Sequence, residues 1–154
     1  MYYTDYEELN LNLISLIHGY DKDDANLIAN LSNAAALLAQ NLQGINWVGF
    51  YLVRGDKLMV GPFQGKPACR EIMLGKGVCG TAWEKDEPQL VPDVHEFPGH
   101  IACDENSRSE IVIPLHKDGK VVGVLDIDSP ELNRFSAGDA MGLSGFAKIV
   151  ENEM

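Results

Sequence analysis

The sequence predicts one α+β domain in which helices pack against an antiparallel sheet. Helical periodicity occurs near both ends of the chain, and two hairpins rich in apolar and β-branched residues lie between the ends. The 154 residues suffice for a single core, and 45% hydrophobic with 23% charged residues is typical of a folded globular protein. Because the sequence contains no repeat and no linker-like stretch, we expect one domain over residues 1–154.

The helices are predicted from apolar spacing and from start and stop signals. Residues 4–19 begin at a Thr that can cap a helix and end at Gly19, and residues 21–44 begin with acidic residues and end at Gly44. A short helix over 78–88 and a last helix over 135–154, capped by Ser136, complete the set. The predicted apolar positions of the first and last helices are Leu9, Leu13, Leu16, Ile17, Met141, Leu143, Phe146 and Ile149.

The strands are predicted as two hairpins and one shorter segment. Residues 45–63 flank an Arg-Gly-Asp-Lys turn, and residues 109–130 flank a turn at Asp118–Gly119. Residues 89–94 form a short strand. Residues 64–77 are predicted to be irregular, and residues 95–108 to be a long polar loop of the kind that often carries function.

The charge balance excludes several classes of partner. With 12 basic and 23 acidic residues the formal charge is −11, so nucleic acid and anionic membrane surfaces would be repelled. The N-terminal residues form no signal peptide, and no apolar run approaches the roughly 20 residues of a spanning helix. We therefore expect a cytoplasmic protein with no nucleic-acid partner and no membrane contact.

Three carboxylates belong to the second predicted hairpin. Asp126 and Asp128 are two residues apart and so face one side of their strand, and symmetric pairing about 118/119 places Glu110 near residue 127. Crowded carboxylates cannot all ionise, so one should hold a proton and serve as a general acid, or together they hold a cation. The alternative is a plain strand end, where Asp128 starts a turn and Asp126 caps a neighbour. Hard cations prefer more oxygen ligands than this, so we predict no metal and no cofactor.

The three cysteines, Cys69, Cys79 and Cys103, have no zinc-site spacing and are either buried or redox-active. A structural disulfide framework is not expected in a reducing compartment. Cys79 lies near a predicted helix N-terminus, which would lower the pKa of its thiol, or it is a small residue packed between Gly77 and Gly80. Cys103 precedes Asp104 and Glu105, which as anions would raise the pKa of its thiol.

Aromatic and histidine residues also have two interpretations each. Trp47, Phe50 and Tyr51 either wall a pocket for a small apolar group or belong to the core. His95 and His100 lie in the long loop, where an exposed or gating role is favoured over catalysis.

Six stretches spanning nearly the whole chain resemble those of the free methionine-(R)-sulfoxide reductases, which have the GAF fold. They are INWVGFYLV, GKGVCGTAW, LVPDV, FPGHIACD, SRSEIVIPL and GVLDIDSP. The resemblance implies a GAF-like domain, a homodimer, and the reduction of free L-methionine (R)-S-oxide to methionine with thioredoxin as reductant.

The resemblance also implies roles for named residues. It assigns Cys103 as the catalytic cysteine, Cys69 as its disulfide partner, and Cys79 as a third cysteine of less uniform role. Glu110, Asp126 and Asp128 correspond to acids that polarise and bind the substrate. Trp47 and Tyr51 correspond to the wall on the methyl side. The alternative is a non-catalytic GAF module that binds a small ligand and signals through its terminal helices.

Overall fold

A computed structural model describes residues 2–101 and 103–154 as four helices and a six-stranded antiparallel sheet. The helices are α1 (Tyr6–Ile17), α2 (Asp24–Asn41), α3 (Gly77–Lys85) and α4 (Ala137–Asn152). The strands are β1 (Trp47–Arg54), β2 (Lys57–Gly65), β3 (Glu71–Met73), β4 (Gln89–Val91), β5 (Ser109–Lys117) and β6 (Lys120–Ser129). Their spatial order is β3-β2-β1-β6-β5-β4. The predicted α+β class is confirmed.

The helices are divided between the two faces of the sheet. Helices α1, α2 and α4 cover one face, where the core includes Leu13, Leu38 and Phe146. Helix α3 covers part of the other face with Val78 and Ala82. The strands serve both cores because successive side chains point to opposite faces. No helix in the described parts of the chain is both long and apolar enough to cross a membrane.

Several local predictions differ from the structure. Asp5, not the Thr before it, caps α1, because its side chain accepts a hydrogen bond from the Glu8 amide at 3.1 Å. Leu16 and Met141 were predicted to be apolar-face residues but are 39% and 79% exposed. The remaining predicted apolar positions lie in or against the core.

Two strand predictions also need correction. The segment predicted to be irregular contains strand β3, which pairs with β2. The strand predicted over 89–94 ends at Val91, because Pro92 cannot donate a ladder hydrogen bond and a 3-10 turn over Val94–Glu96 follows.

The β5–β6 hairpin contains a β-bulge that fixes its register. Asp118 and Gly119 have φ of 54° and 75°, as a two-residue turn of type I′ requires. The register then shifts by one residue: His116 pairs with Val121, but Leu115 pairs with Gly123. Val122 is thus an extra residue in β6. Beyond the bulge, residues that symmetric pairing would place opposite each other are offset by one.

Candidate active site

The bulge places the three carboxylates on the same face of the sheet. Glu110 pairs with Asp128, and its neighbour on that face, Val112, pairs with Asp126. Directly opposed residues share a face, so Glu110, Asp126 and Asp128 all point toward α3. The predicted pairing of Glu110 with residue 127 is wrong, because the bulge shifts the register by one residue. Without that shift, Glu110 would lie on the opposite face of the sheet.

The carboxylates are shielded from water, and two of their oxygens lack a hydrogen-bond partner among the described residues. Glu110 is 7% exposed and Asp126 is 5% exposed, while Asp128 is half-buried. Asp126 Oδ1 and Asp128 Oδ1 have no hydrogen-bond partner among the described residues. The alternative in which Asp126 caps a neighbour is therefore not supported. An unsatisfied buried carboxylate oxygen costs free energy until a donor or a cation meets it.

Burial sets the protonation of this cluster. It raises the pKa of Glu110 well above the ordinary range, and the charges of Asp126 and Asp128 raise it further. Burial likewise raises the pKa of Asp126, and it raises the pKa of Asp128 with a further contribution from the charge of Asp126. Because the three groups share one small space, protons are retained by the cluster near neutral pH.

Cys79 lies beside the carboxylates in the first turn of α3. Its sulfur and one oxygen each of Glu110 and Asp126 lie within 4.8 Å of one another. Burial raises the pKa of the Cys79 thiol well above its ordinary value, and the three carboxylates add to the effect. The predicted lowering by the helix N-terminus is wrong, because that effect, roughly 0.3–1 kcal/mol, is smaller than full burial beside anions.

The packing around Cys79 agrees with its interpretation as a small buried residue. It is 4% exposed, and a Cβ on the following Gly80 would lie 2.5 Å from the carbonyl oxygen of Met73. The backbone of α3 therefore approaches β3 too closely for larger residues.

A disulfide joins Cys69 and Cys103, the pair that the family resemblance implies. The Cα atoms are 5.4 Å apart and the bond closes a separation of 34 residues. Two β1 side chains hold the segment that carries Cys69. The Tyr51 hydroxyl donates to the Cys69 carbonyl at 2.9 Å, and Trp47 Nε1 donates to the Lys66 carbonyl at 3.1 Å.

Trp47 and Tyr51 form an aromatic wall on the same face as the carboxylates. Their ring centroids are 5.9 Å apart, and Phe63 also stacks on Trp47, with ring centroids 5.1 Å apart. In register, Trp47 lies directly opposite Asp128. The aromatic wall and the carboxylate cluster therefore meet at the Trp47–Asp128 pair. Phe50 points to the opposite face and belongs to the main core.

The loop that carries Cys103 is fastened to the sheet by Asn46, which the sequence analysis did not identify. Asn46 Nδ2 donates to Asp104 Oδ2 at 2.9 Å and to Ser107 Oγ at 3.1 Å. The backbone N–H of Asn46 also donates to the backbone carbonyl of Asp128 at 2.9 Å. An Asn before a strand carries no signal of a partner 58 residues away.

One cavity lies between the sheet, α3 and the Cys103 loop. It encloses about 540 Å³ of unoccupied space, its open mouth included. The predicted site residues that line it are Trp47, Tyr51, Cys79, Cys103, Glu110, Asp126 and Asp128; Cys69 does not line it. His100 and Ile101 also line it, whereas His95 is exposed and lies beside Asp93. Burial lowers the pKa of His100, and the nearby His95 lowers it further.

The fold and the family comparison define the class of the protein. A family model described as "GAF domain" matches residues 28–152. The chain is a GAF-domain protein.

Comparison with individual proteins refines this assignment. The free methionine-R-sulfoxide reductase of Escherichia coli is 49% identical over 138 residues, which cover 90% of this chain and 81% of that protein. The solved structure of the reduced form of fRMsr of Staphylococcus aureus has a TM-score of 0.93 at 52% identity, with 98% and 96% of the two chains covered. The free methionine-R-sulfoxide reductase of Neisseria meningitidis, solved in complex with its substrate, has a TM-score of 0.89 at 46% identity, with 96% and 87% covered. This chain belongs to the free methionine-R-sulfoxide reductase family.

Proposed function

We propose that the protein reduces free L-methionine (R)-S-oxide to L-methionine, with Cys103 as nucleophile and Cys69 as resolving cysteine. One observation carries the proposal: Cys103, which is disulfide-bonded to Cys69, lines the same cavity as the three crowded carboxylates. A thiol that can form an intramolecular disulfide and an acid that retains its proton are the two groups needed to reduce a sulfoxide.

The carboxylates supply the activation that a sulfoxide needs. Sulfoxide sulfur is a poor electrophile until its oxygen is protonated or strongly hydrogen-bonded. Glu110 is the proposed acid, since its pKa is raised by burial and by both aspartates. A proton held near neutral pH is available for transfer in the transition state.

The reaction proceeds in balanced steps. The Cys103 thiol attacks the sulfoxide sulfur, the oxygen is transferred to Cys103 as a sulfenic acid, and methionine leaves. The Cys69 thiol then attacks the sulfenic sulfur, forming the disulfide and releasing water. A dithiol reductant restores both thiols and is itself oxidised to a disulfide. Thioredoxin is the proposed reductant.

Substrate selection follows from the same surfaces. An ionised carboxylate of the Asp126 and Asp128 pair would hold the ammonium group of the free amino acid. Trp47 and Tyr51 would contact the methyl group of the substrate. A peptide-bound methionine lacks the ammonium, so a buried carboxylate would remain unpaired on binding it. Fixed positions of acid and thiol address only one configuration at sulfur.

Further parts of the proposal concern assembly and location. We propose a homodimer, supported by exposed apolar side chains on the helical layer: Leu11 and Ile28 are each 60% exposed and Met141 is 79% exposed. We also propose that residues 1–154 act as one catalytic domain and that the protein works in the cytoplasm, where a thioredoxin system keeps thiols reduced.

The decisive assay measures consumption of free methionine sulfoxide with dithiothreitol as reductant. We expect the (R) epimer to disappear and the (S) epimer to remain, as resolved by chiral separation. A protein that binds the sulfoxide but consumes neither epimer would instead be a GAF sensor module. Equal consumption of both epimers would contradict the proposed pocket.

A further inference from the structure

We propose that Cys79, Glu110 and Asp126 form a binding site for one thiophilic divalent cation, with Zn²⁺ as the reference ion. The binding claim is independent of the proposed reductase activity. Only its consequence, inhibition of that activity, depends on the proposed function.

The geometry fits a small cation after modest adjustment. One donor atom of each residue lies within 4.8 Å of the other two. Around a tetrahedral Zn²⁺ with bonds of roughly 2.0–2.3 Å, neighbouring donor atoms lie roughly 3.3–3.8 Å apart. Binding would therefore require the donor atoms to contract by up to about 1.5 Å, through rotation of the two carboxyl groups. The fourth position would face the cavity and hold water, as in zinc sites that keep an open position.

A second observation points to a ligand at this place. Asp126 is 5% exposed, and its Oδ1 has no hydrogen-bond partner among the described residues. Asp128 Oδ1, on the next residue of that face, also has no hydrogen-bond partner among the described residues. Oxygens that are buried, unpartnered and anionic when deprotonated favour a cation over a neutral guest.

The thiol selects the kind of cation. Mg²⁺ and Ca²⁺ are disfavoured here because hard cations prefer more oxygen ligands than these carboxylates offer. The structure adds the Cys79 sulfur to the donor set, which favours Zn²⁺ or Co²⁺. Binding must displace the protons that these groups retain, so proton release accompanies it.

The oxidised protein isolates this site for experiment. The Cys69–Cys103 disulfide withholds two of the three thiols, and Cys79 is the free cysteine among the residues described. A cation held there would occupy the place proposed for the substrate ammonium and would block Glu110. Zn²⁺ should therefore inhibit the reduced enzyme in competition with the sulfoxide.

The test titrates metal-free oxidised protein with Co²⁺ and follows the near-ultraviolet charge-transfer band of a cobalt–thiolate bond. We expect one Co²⁺ per chain, displaced by one Zn²⁺, with proton release measured by calorimetry in buffers of different ionisation enthalpy. Cys79→Ser should abolish the band. Asp126→Asn should weaken binding by about a hundredfold, because losing a group that only supports a metal ligand already costs roughly 10–100-fold in affinity. Glu71→Gln, at an exposed position in β3, is the matched control and should bind as the parent does.

Absence of the thiolate band in the parent, or metal binding that is unchanged in both Cys79→Ser and Asp126→Asn, would overturn the proposal. If Cys79→Ser does not fold, Glu110→Gln replaces it, and unchanged affinity there has the same meaning. A protein that binds Co²⁺ through Cys79 but reduces no sulfoxide would retain this inference and lose the proposed function.

Discussion

Replacing Glu110 with Gln should damage catalysis while leaving the fold intact at neutral pH. Glu110 faces Asp128 across the β5–β6 ladder and is 7% exposed. Gln has nearly the same shape and can donate a hydrogen bond to a sulfoxide oxygen, but it cannot deliver a proton. Loss of a positioned general acid costs about a hundredfold to ten-thousandfold in rate, which corresponds to about 2.7–5.5 kcal/mol in the activation barrier.

The same substitution should raise the free energy of unfolding at pH values above the ordinary glutamate pKa. The pKa of Glu110 is raised in the folded protein, so the folded state keeps a proton that the unfolded chain loses above the ordinary glutamate pKa. The free energy of unfolding therefore falls as pH rises through that window, by about 1.4 kcal/mol per pH unit for one retained proton. Gln carries no such penalty. Between the ordinary glutamate pKa and the raised one, the variant should therefore gain stability relative to the parent as pH rises.

Two measurements test this pair of effects in metal-free buffer. Single-turnover release of methionine from the reduced enzyme gives the chemical step, and urea unfolding at several pH values gives the stability slope. Glu71→Gln, an exposed carboxyl that pairs with Lys57 on the surface, is the control and should change neither. If Glu110→Gln releases methionine as fast as the parent at saturating substrate, the acid is one of the aspartates or a bound water. An unchanged stability slope would refute the assignment of a retained proton to Glu110.

Other predictions follow from the same structure. Cys103→Ser should form no methionine, whereas Cys69→Ser should form one methionine per chain and then stop when thioredoxin is the reductant. A quenched time course measures both. If Cys79→Ser forms no methionine in the first turnover, Cys79 and not Cys103 is the nucleophile. N-acetylated methionine sulfoxide should be reduced far more slowly than the free amino acid, and equal rates would exclude ammonium recognition by the aspartates. His116→Gln should lower the free energy of unfolding more at pH 6 than at pH 9, because the hydrogen bond that His116 donates to the Asp86 carboxylate raises the pKa of His116, and its stabilising charge is lost as pH rises through that raised value. Equal losses at both pH values would contradict this.

Much of the fold could be predicted because its signals are local. The turn at Asp118–Gly119 requires two residues with positive φ, and Asp-Gly is typical of that turn. The apolar spacing in α1 and α4 marks helices whose packing lies along one stripe. The errors at Leu16 and Met141 arose because periodicity alone does not say where the stripe ends.

The chemical state of the site could not be predicted in the same way, because it depends on distant contacts. The pKa of Cys79 follows from burial beneath the sheet and from carboxylates some 31 or more positions away, and not from its place in α3. The fastening of the Cys103 loop by Asn46 connects parts of the chain that no local pattern relates. The three carboxylates were expected to meet, but the register proposed for them was off by one residue.

The extra residue Val122 marks where this hairpin can change length without separating its acids. Deleting it would make the β5–β6 ladder regular, and residues beyond it would keep their partners, with Glu110 still opposite Asp128. A one-residue deletion between residues 123 and 126 would instead offset the ladder and turn Glu110 to the face opposite Asp126 and Asp128. In divergence among GAF domains, the cluster would therefore survive a single-codon deletion at the bulge but not one nearer the acids. An alignment that slides a gap freely from residue 122 toward residue 126 would misjudge which relatives keep the assembled cluster.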